Sequence, residues 1–348
     1  MLSPQSPVLA EPGLNVGEAV PADACIPGVE EHRITLNGIE WRYLRAGSGP
    51  ALLLIHGLMG YSWSWRFNLR ELARNFTVYA PDLPGTGFSQ RADSLSGSLE
   101  SDAEGLLLLM DHLGADQFDL VGSSRGGGVA IVLAGLLARR GMLDRIQRMI
   151  LCSPMNPWSR FGRRRVRLFA APVGRHFIIH VAPRLHSLLK MYYRDLYGDP
   201  SRIAPGSVEG YEAGLVVPRS FHHLVRIMRG WHPDLRQIES MLPLLQEVPT
   251  LLLWGSRDTV VCPSSACELQ HRLANSQVLM LDGVGHLPYE ELPAEFNQIV
   301  GEFLLRSNPQ TSLEIAPCEY SRRGPTAVTL PSSDKRQLAE ARHAPARD

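Results

Sequence analysis

Cysteine is scarce in this sequence, and its arrangement excludes several protein classes. The five cysteines, Cys25, Cys152, Cys262, Cys267 and Cys318, are too few and too scattered for a disulfide scaffold. No Cys-x-x-Cys pair and no cysteine–histidine cluster with zinc spacing occurs, which excludes the common structural zinc motifs. Free thiols in a reducing compartment are therefore expected. No apolar stretch approaches the ~18 residues of a membrane-spanning helix. The N-terminus lacks a basic start followed by an apolar run, so no secretory signal is expected. These absences together lead to an expected cytoplasmic location. Formal net charge is zero, which gives the chain as a whole no electrostatic preference for nucleic acid or for a membrane. No internal repeat is present.

What is there reads as a globular enzyme-sized chain. With 348 residues, 44% of them hydrophobic and 20% charged, it can bury a large core. Residues 1–30 carry several Pro and Gly and no hydrophobic period, the pattern of a flexible leader. Residues 307–348 mix Pro, Ser, Arg and Glu without a period, the pattern of a disordered tail. The folded part is expected over 31–306.

Within it, short apolar runs alternate with longer amphipathic ones. Residues 33–36 and 41–44 read as two strands around the turn Asn37-Gly38. The runs 51–55, 76–80, 118–121, 149–152, 250–254 and 278–281 read as buried strands. Helices are predicted over 64–74, 99–113, 127–139, 265–274 and 293–305. A hairpin followed by alternating strand and helix implies an α/β fold: a mostly parallel sheet covered by helices on both faces. Ligands of such sheets bind at the carboxyl ends of the strands, so the residues there carry the functional reading.

Four strand ends stand out. After 118–121 comes Gly122-Ser123-Ser124-Arg125-Gly126-Gly127, a Gly-x-Ser-x-Gly at a strand-to-helix turn. Such a turn lifts the serine hydroxyl above the sheet, and glycines on either side relieve the crowding. Only Ser124 has Gly at both minus two and plus two, so the register selects it over Ser123 as the nucleophile. After 250–254 comes Gly255-Ser256-Arg257-Asp258, which places a carboxylate at a strand end; its bland alternative is a turn residue or helix cap. After 278–281 comes Gly283-Val284-Gly285-His286, a histidine placed as a base or, alternatively, a hydrogen-bonded loop histidine. The chain order Ser, Asp, His is that of one of the three known triad orders. The fourth end, 51–55, runs into His56-Gly57-Leu58-Met59-Gly60. Acyl transfer passes through an oxyanion that needs preorganised donors, and the Leu58 and Arg125 amides are the candidates. His56 is expected to be structural, with Gly57, Gly122 and Gly126 as supporting residues.

These motifs, with Asp82-Leu83-Pro84-Gly85-Thr86-Gly87-Phe88-Ser89 and Gly285-His286-Leu287-Pro288 through Glu291 and Pro293, resemble the α/β-hydrolase superfamily, which holds esterases, lipases, epoxide hydrolases and dehalogenases. They run in family order through nearly all of 31–306. The resemblance implies an eight-stranded, mostly parallel sheet, a core over 31–153 and 250–306, and an inserted helical cap over 154–249. It also implies structural roles for Asp82, Gly85, Gly87 and Glu291. Epoxide hydrolases and haloalkane dehalogenases carry Asp at the nucleophile position, because a carboxylate attacks an sp³ carbon. Here the residue is Ser124, which directs the expectation toward acyl transfer at a carboxylic ester or thioester through an acyl-enzyme. That chemistry needs no metal or redox cofactor. The alternatives are a carbon–carbon bond hydrolase or cofactor-free haloperoxidase-like enzyme on the same triad, or a non-catalytic binding protein on the same fold.

The cap carries a charge bias. Over 156–230 there are thirteen Arg or Lys against four Asp or Glu. Three readings compete: a solvated arginine face, attraction to an anionic membrane bearing lipid esters, and attraction to an anionic substrate. Arg125 beside the nucleophile either supports the last or points into helix packing. Apolar residues among the arginines, including Leu168, Phe169, Phe177, Ile178, Ile179 and Val181, are expected to line the acyl pocket or pack the cap on the core.

Overall fold

Runs that are apolar at every position, rather than at alternate ones, need cover on both faces of a sheet. The computed structural model of the chain describes residues 28–159 and 163–306, together with Ile26, 320–321 and 324–325. The expected leader and tail lie almost entirely outside these residues. Eight strands form one sheet: β1 Glu30–Leu36, β2 Ile39–Ala46, β3 Ala51–Ile55, β4 Thr77–Pro81, β5 Phe118–Ser123, β6 Ile146–Cys152, β7 Thr250–Gly255 and β8 Ser276–Leu281. Their spatial order is β1-β2-β4-β3-β5-β6-β7-β8. The hairpin β1–β2 and the pair β2–β4 are antiparallel, and the remaining pairs are parallel. Asn37 and Gly38 both have positive φ, 48° and 76°, the geometry of a tight hairpin turn with the twist of the flanking strands.

The two-sided burial shows in β3. Leu53 and Ile55 join one apolar layer, and Leu52 and Leu54 join the other. β6 and β7 split the same way, with Met149, Leu151, Leu252 and Trp254 on the first side and Ile150, Cys152, Leu251 and Leu253 on the second. The first layer is closed by α2 Leu99–His112 and α3 Arg125–Arg139. Ser98 caps α2 by accepting the Ser101 amide at 3.2 Å.

The expected helix over 64–74 is instead a short 3-10 turn, Ser62–Trp65, and a four-residue helix, α1 Leu69–Leu72. Tertiary bonds override the local period there. Asn68 is buried and donates to the Tyr289 carbonyl at 3.2 Å and to Asn297 Oδ1 at 2.8 Å.

Between β6 and β7 the chain leaves the sheet and forms α4 Arg163–Ala170, α5 Pro172–His180, α6 His186–Leu196, α7 Ser207–Leu215 and α8 Ser220–Met241. It then returns through β7, α9 Ser265–Gln270, β8, α10 Pro288–Glu291 and α11 Pro293–Leu305. The arginine-rich segment does not turn all its apolar side chains inward. Phe169, Phe177, Ile178 and Ile179 pack on the second layer, whereas Leu168 is 63% exposed and Val181 faces solvent. Cys152 and Cys262 are free thiols, but Cys267 is disulfide-bonded, a pairing that a reducing compartment does not favour. Spacing along the chain could not show which thiols the fold uses. Among the described residues no helix is long and apolar enough to cross a membrane.

Candidate active site

Three strand ends at one edge of the sheet carry the site. Ser124 follows β5 and caps α3 with φ 52° and ψ −118°. A non-glycine residue pays about 1–3 kcal/mol to hold such a conformation, so the surroundings must enforce it. They do so by hydrogen bonds on both sides: the Ser124 amide donates to Cys152 O at 2.9 Å, and Ser124 O accepts from Gly127 and Met155 at 3.0 and 2.8 Å. They also do so by close approach. A Cβ on Gly126 would lie 2.3 Å from the Ile55 carbonyl oxygen, so only glycine lets α3 start this close to the end of β3. Ser124 is partly exposed while its neighbours are buried.

Asp258 and His286, 28 residues apart, meet. His286 Nδ1 lies 2.8 Å from Asp258 Oδ2, with both side chains buried. A carboxylate only accepts, so Nδ1 carries the proton and Nε2 is left as the basic nitrogen. Asp258 Oδ1 is itself fixed by the Val260 and Val261 amides at 2.8 and 2.9 Å. Two further groups hold the histidine loop. The His286 amide donates to Leu196 O at 2.6 Å. Glu291 accepts the Gly285 amide at 2.6 Å and the Gly198 amide at 3.0 Å. Burial raises the Glu291 pKa against the opposing pull of these amides.

The loop after β3 sits beside the serine. A Cβ on Gly57 would be 3.2 Å from Ser124 Cβ. Among the described residues neither the Leu58 nor the Arg125 backbone amide is engaged by an acceptor, the condition a pair of oxyanion donors must meet. His56 braces this loop. Its Nε2 accepts the Leu83 amide at 3.1 Å and its Nδ1 faces Gly57 O at 2.8 Å. Burial pushes its pKa down to about 4, so His56 is a neutral strut. Asp82 anchors the same region by accepting from the Ser62 and Phe88 amides and from Arg42.

The Arg125 side chain turns away from any substrate. Nη1 pairs with buried Asp102 at 2.6 Å and Nη2 donates to Gly97 O at 2.7 Å. It therefore gives no support to an anionic substrate next to the nucleophile. The small cavity that adjoins Leu58, about 20 Å³, is walled by Gly85, Thr86, Leu215, His223, Leu224 and Ile227. The inserted helices that wall it are α7 and α8, while the apolar α4–α5 residues Phe169, Phe177, Ile178 and Ile179 follow the other expectation and pack on the second layer. His223 is buried with Nδ1 unpartnered, and burial pushes its pKa down to about 3. No local signal marks it.

A second buried carboxylate was also missed. Glu290 pairs with Arg66 at 2.6 Å and accepts from Tyr197 at 2.6 Å and from Tyr211. These partners come from three distant segments, so no spacing along the chain reveals them. Only the carboxylate pair Glu290-Glu291 inside an apolar stretch hints at buried ion pairing. Among the described residues no group of three His, Cys, Asp or Glu side chains is arranged to hold a metal.

The signature of the alpha/beta hydrolase family matches residues 52–299, from the second residue of β3 into α11. The chain belongs to the α/β-hydrolase family. An uncharacterized protein of Mycobacterium tuberculosis is 28% identical over 323 residues, covering 88% of this chain and 90% of the relative. A 2-hydroxymuconate semialdehyde hydrolase of Pseudomonas is 26% identical, covering 78% and 92%. Among solved structures, a membrane phospholipase A described as a bacterial virulence factor superposes with a TM-score of 0.65 at 26% identity, covering 80% and 86%. As a member of this family the chain is a hydrolase of the α/β-hydrolase type, with the family's mostly parallel sheet flanked by helices.

Proposed function

We propose that this α/β-hydrolase is a serine hydrolase that cleaves a carboxylic ester or thioester through an acyl-enzyme. The observations that support the reading are the Asp258–His286 hydrogen bond and a serine held at positive φ at the end of β5. His286 Nε2 takes the Ser124 proton as Oγ attacks the carbonyl carbon. Asp258 keeps the ring in the productive tautomer and stabilises the imidazolium. The Leu58 and Arg125 amides receive the oxyanion. His286 then protonates the leaving alkoxide or thiolate. Water, deprotonated by the same ring, releases the acid and restores Ser124.

A second reading is favoured by the 2-hydroxymuconate semialdehyde hydrolase and a 2-hydroxy-6-oxo-2,4-heptadienoate hydrolase of Pseudomonas putida, the latter 26% identical over 78% of this chain. In it the same Ser124 and His286 act on a carbon–carbon bond. Fluorophosphonate labelling with Ser124→Ala as control tests the nucleophile in either reading. Unchanged labelling of the variant overturns the assignment. p-Nitrophenyl esters of rising chain length, run beside a dienoate ring-cleavage product, separate the two. Turnover of the dienoate alone overturns the ester reading.

A further inference from the structure

The forty residues 155–194 hold nine Arg or Lys, three His and no Asp or Glu. From Arg163 on they form α4, α5, the 3-10 turn Ala182–Arg184 and most of α6. Single exposed apolar side chains are ordinary on a protein surface, whereas several gathered in a cationic stretch without acids mark a contact surface. Of the ten large apolar side chains exposed among the described residues, four fall here: Leu168, Val173, Val181 and Met191. Val173 is 83% exposed, the highest of the ten. Arg167 on α4, Arg184 on the turn after α5, and Lys190 and Arg194 on α6 are exposed. Among the described residues only Lys190 of these four has an acidic partner, Glu209 at 3.4 Å.

Leu168 and Val173 lie on either side of the α4–α5 junction, a turn closed by the Ala171 amide on Leu168 O at 3.2 Å. The junction is closely packed. Gly174 packs so tightly that a Cβ there would lie 2.1 Å from Leu168 O. Beneath it, Phe169, Phe177 and Ile178 fix α4 and α5 to the second apolar layer. Two apolar side chains therefore project from a firm corner, with Arg167 beside Leu168 and three consecutive arginines, 163–165, at the start of the same helix.

We propose that the α4–α5 junction is a docking surface for an anionic phospholipid membrane, with Leu168 and Val173 entering the acyl boundary and the cations of 167–194 meeting the headgroups. Charge complementarity selects this occupant. A cationic surface of this density suits a surface of fixed negative charge, and projecting apolar residues suit one with a hydrocarbon interior. A nucleic acid or an acidic protein offers the first without the second. The surface is independent of the assignment of Ser124, and its test does not use catalysis as the readout.

The experiment is co-sedimentation of the full chain with phosphatidylcholine vesicles, with and without phosphatidylserine, at low and high salt. Binding only to the phosphatidylserine vesicles, lost at high salt, is the expected result. Each interfacial cation is worth about fivefold in partitioning, so Arg167→Glu lowers binding by at least that factor. Val173→Asp and Leu168→Asp lower it further, while fluorophosphonate labelling of all three variants stays at the wild-type rate. No binding to phosphatidylserine vesicles at low salt overturns the proposal. So does binding that Val173→Asp and Leu168→Asp leave unchanged, because that is attraction to any polyanion; heparin retention then accompanies it. A loss of labelling in wild type strikes the hydrolase reading alone and leaves the surface standing.

Discussion

Arg125 Nη1 and Asp102 Oδ2 form a 2.6 Å ion pair in which both side chains are buried. Arg125, next to Ser124, ties α3 to α2 through its side chain, while its backbone amide is the proposed oxyanion donor. Removing one partner strands a buried charge, which costs about 3–5 kcal/mol. Arg125→Met should therefore lower the unfolding free energy by that amount, and Asp102→Leu in the same chain should recover most of it. Urea melts of the two single variants and the double variant read the cycle. Labelling of Ser124 by a fluorophosphonate should survive in the double variant, because the Arg125 amide is retained. Loss of labelling there would show that the guanidinium, and not the amide, serves the reaction.

Asp258→Asn should leave the fold intact and nearly abolish turnover. An Asn carbonyl still accepts the Val260 and Val261 amides that hold Asp258 Oδ1. Its amide group can no longer accept the His286 Nδ1 proton, which frees the ring to adopt the wrong tautomer. The expected loss in kcat is on the order of ten-thousandfold. Steady-state kinetics on the best ester of the chain-length series, beside a circular dichroism melt, test both halves.

Glu291→Gln should separate positioning from chemistry. The carboxylate accepts amides from Gly285 on the histidine loop and from Gly198 and Asp199 on the cap. A glutamine keeps one acceptor and turns the other into a donor facing amide donors. A fall in kcat with little change in KM is expected, with stability lower by about 1–3 kcal/mol. A changed KM at constant kcat would place the effect on substrate binding instead.

Buried neutral histidines make the native state sensitive to acid. His56 and His223 have native pKa values near 4 and 3, below the ordinary 6.5. Between those values the unfolded chain binds more protons than the native one, so stability increases with pH there. Their stabilising contribution is complete above about pH 6.5 and is lost as pH falls toward 4. For His56 the shift amounts to something on the order of 3 kcal/mol. Asp234, whose pKa burial raises to about 6, acts with the opposite sign from about pH 4 to 6. Chemical denaturation between pH 4 and 7 should show a slope for wild type that flattens in His56→Asn. Equal slopes would mean that His56 is charged in the native state.

Particular residues show why the fold was readable and parts of the site were not. β3 and β7 are apolar at successive positions because both faces are covered, and that leaves a mark in the sequence. Residues at their ends are then fixed by chain order, which is how Ser124, Asp258 and His286 were picked out. Glu290, Arg66, Tyr197 and Tyr211 leave no such mark, since their meeting is set by packing between segments far apart in the chain. The same holds for the cap. Its charge is visible in composition, but whether Leu168 faces in or out depends on how α4 rolls against α5 and α8. The short helix after β3 failed for a related reason: Asn68 bonds to Tyr289 and Asn297 instead of continuing a helix.

The contact between Gly198 and Gly285 bears on how substrate enters. A Cβ on either would strike the other's backbone within 2.6 Å, and the His286 amide is bonded to Leu196 O at the end of α6. The inserted helices are therefore latched to the loop that carries His286, and a hinge at this end would pull the imidazole away from Asp258. Any opening of the insertion that keeps the Asp258–His286 pair intact is therefore expected away from the end of α6.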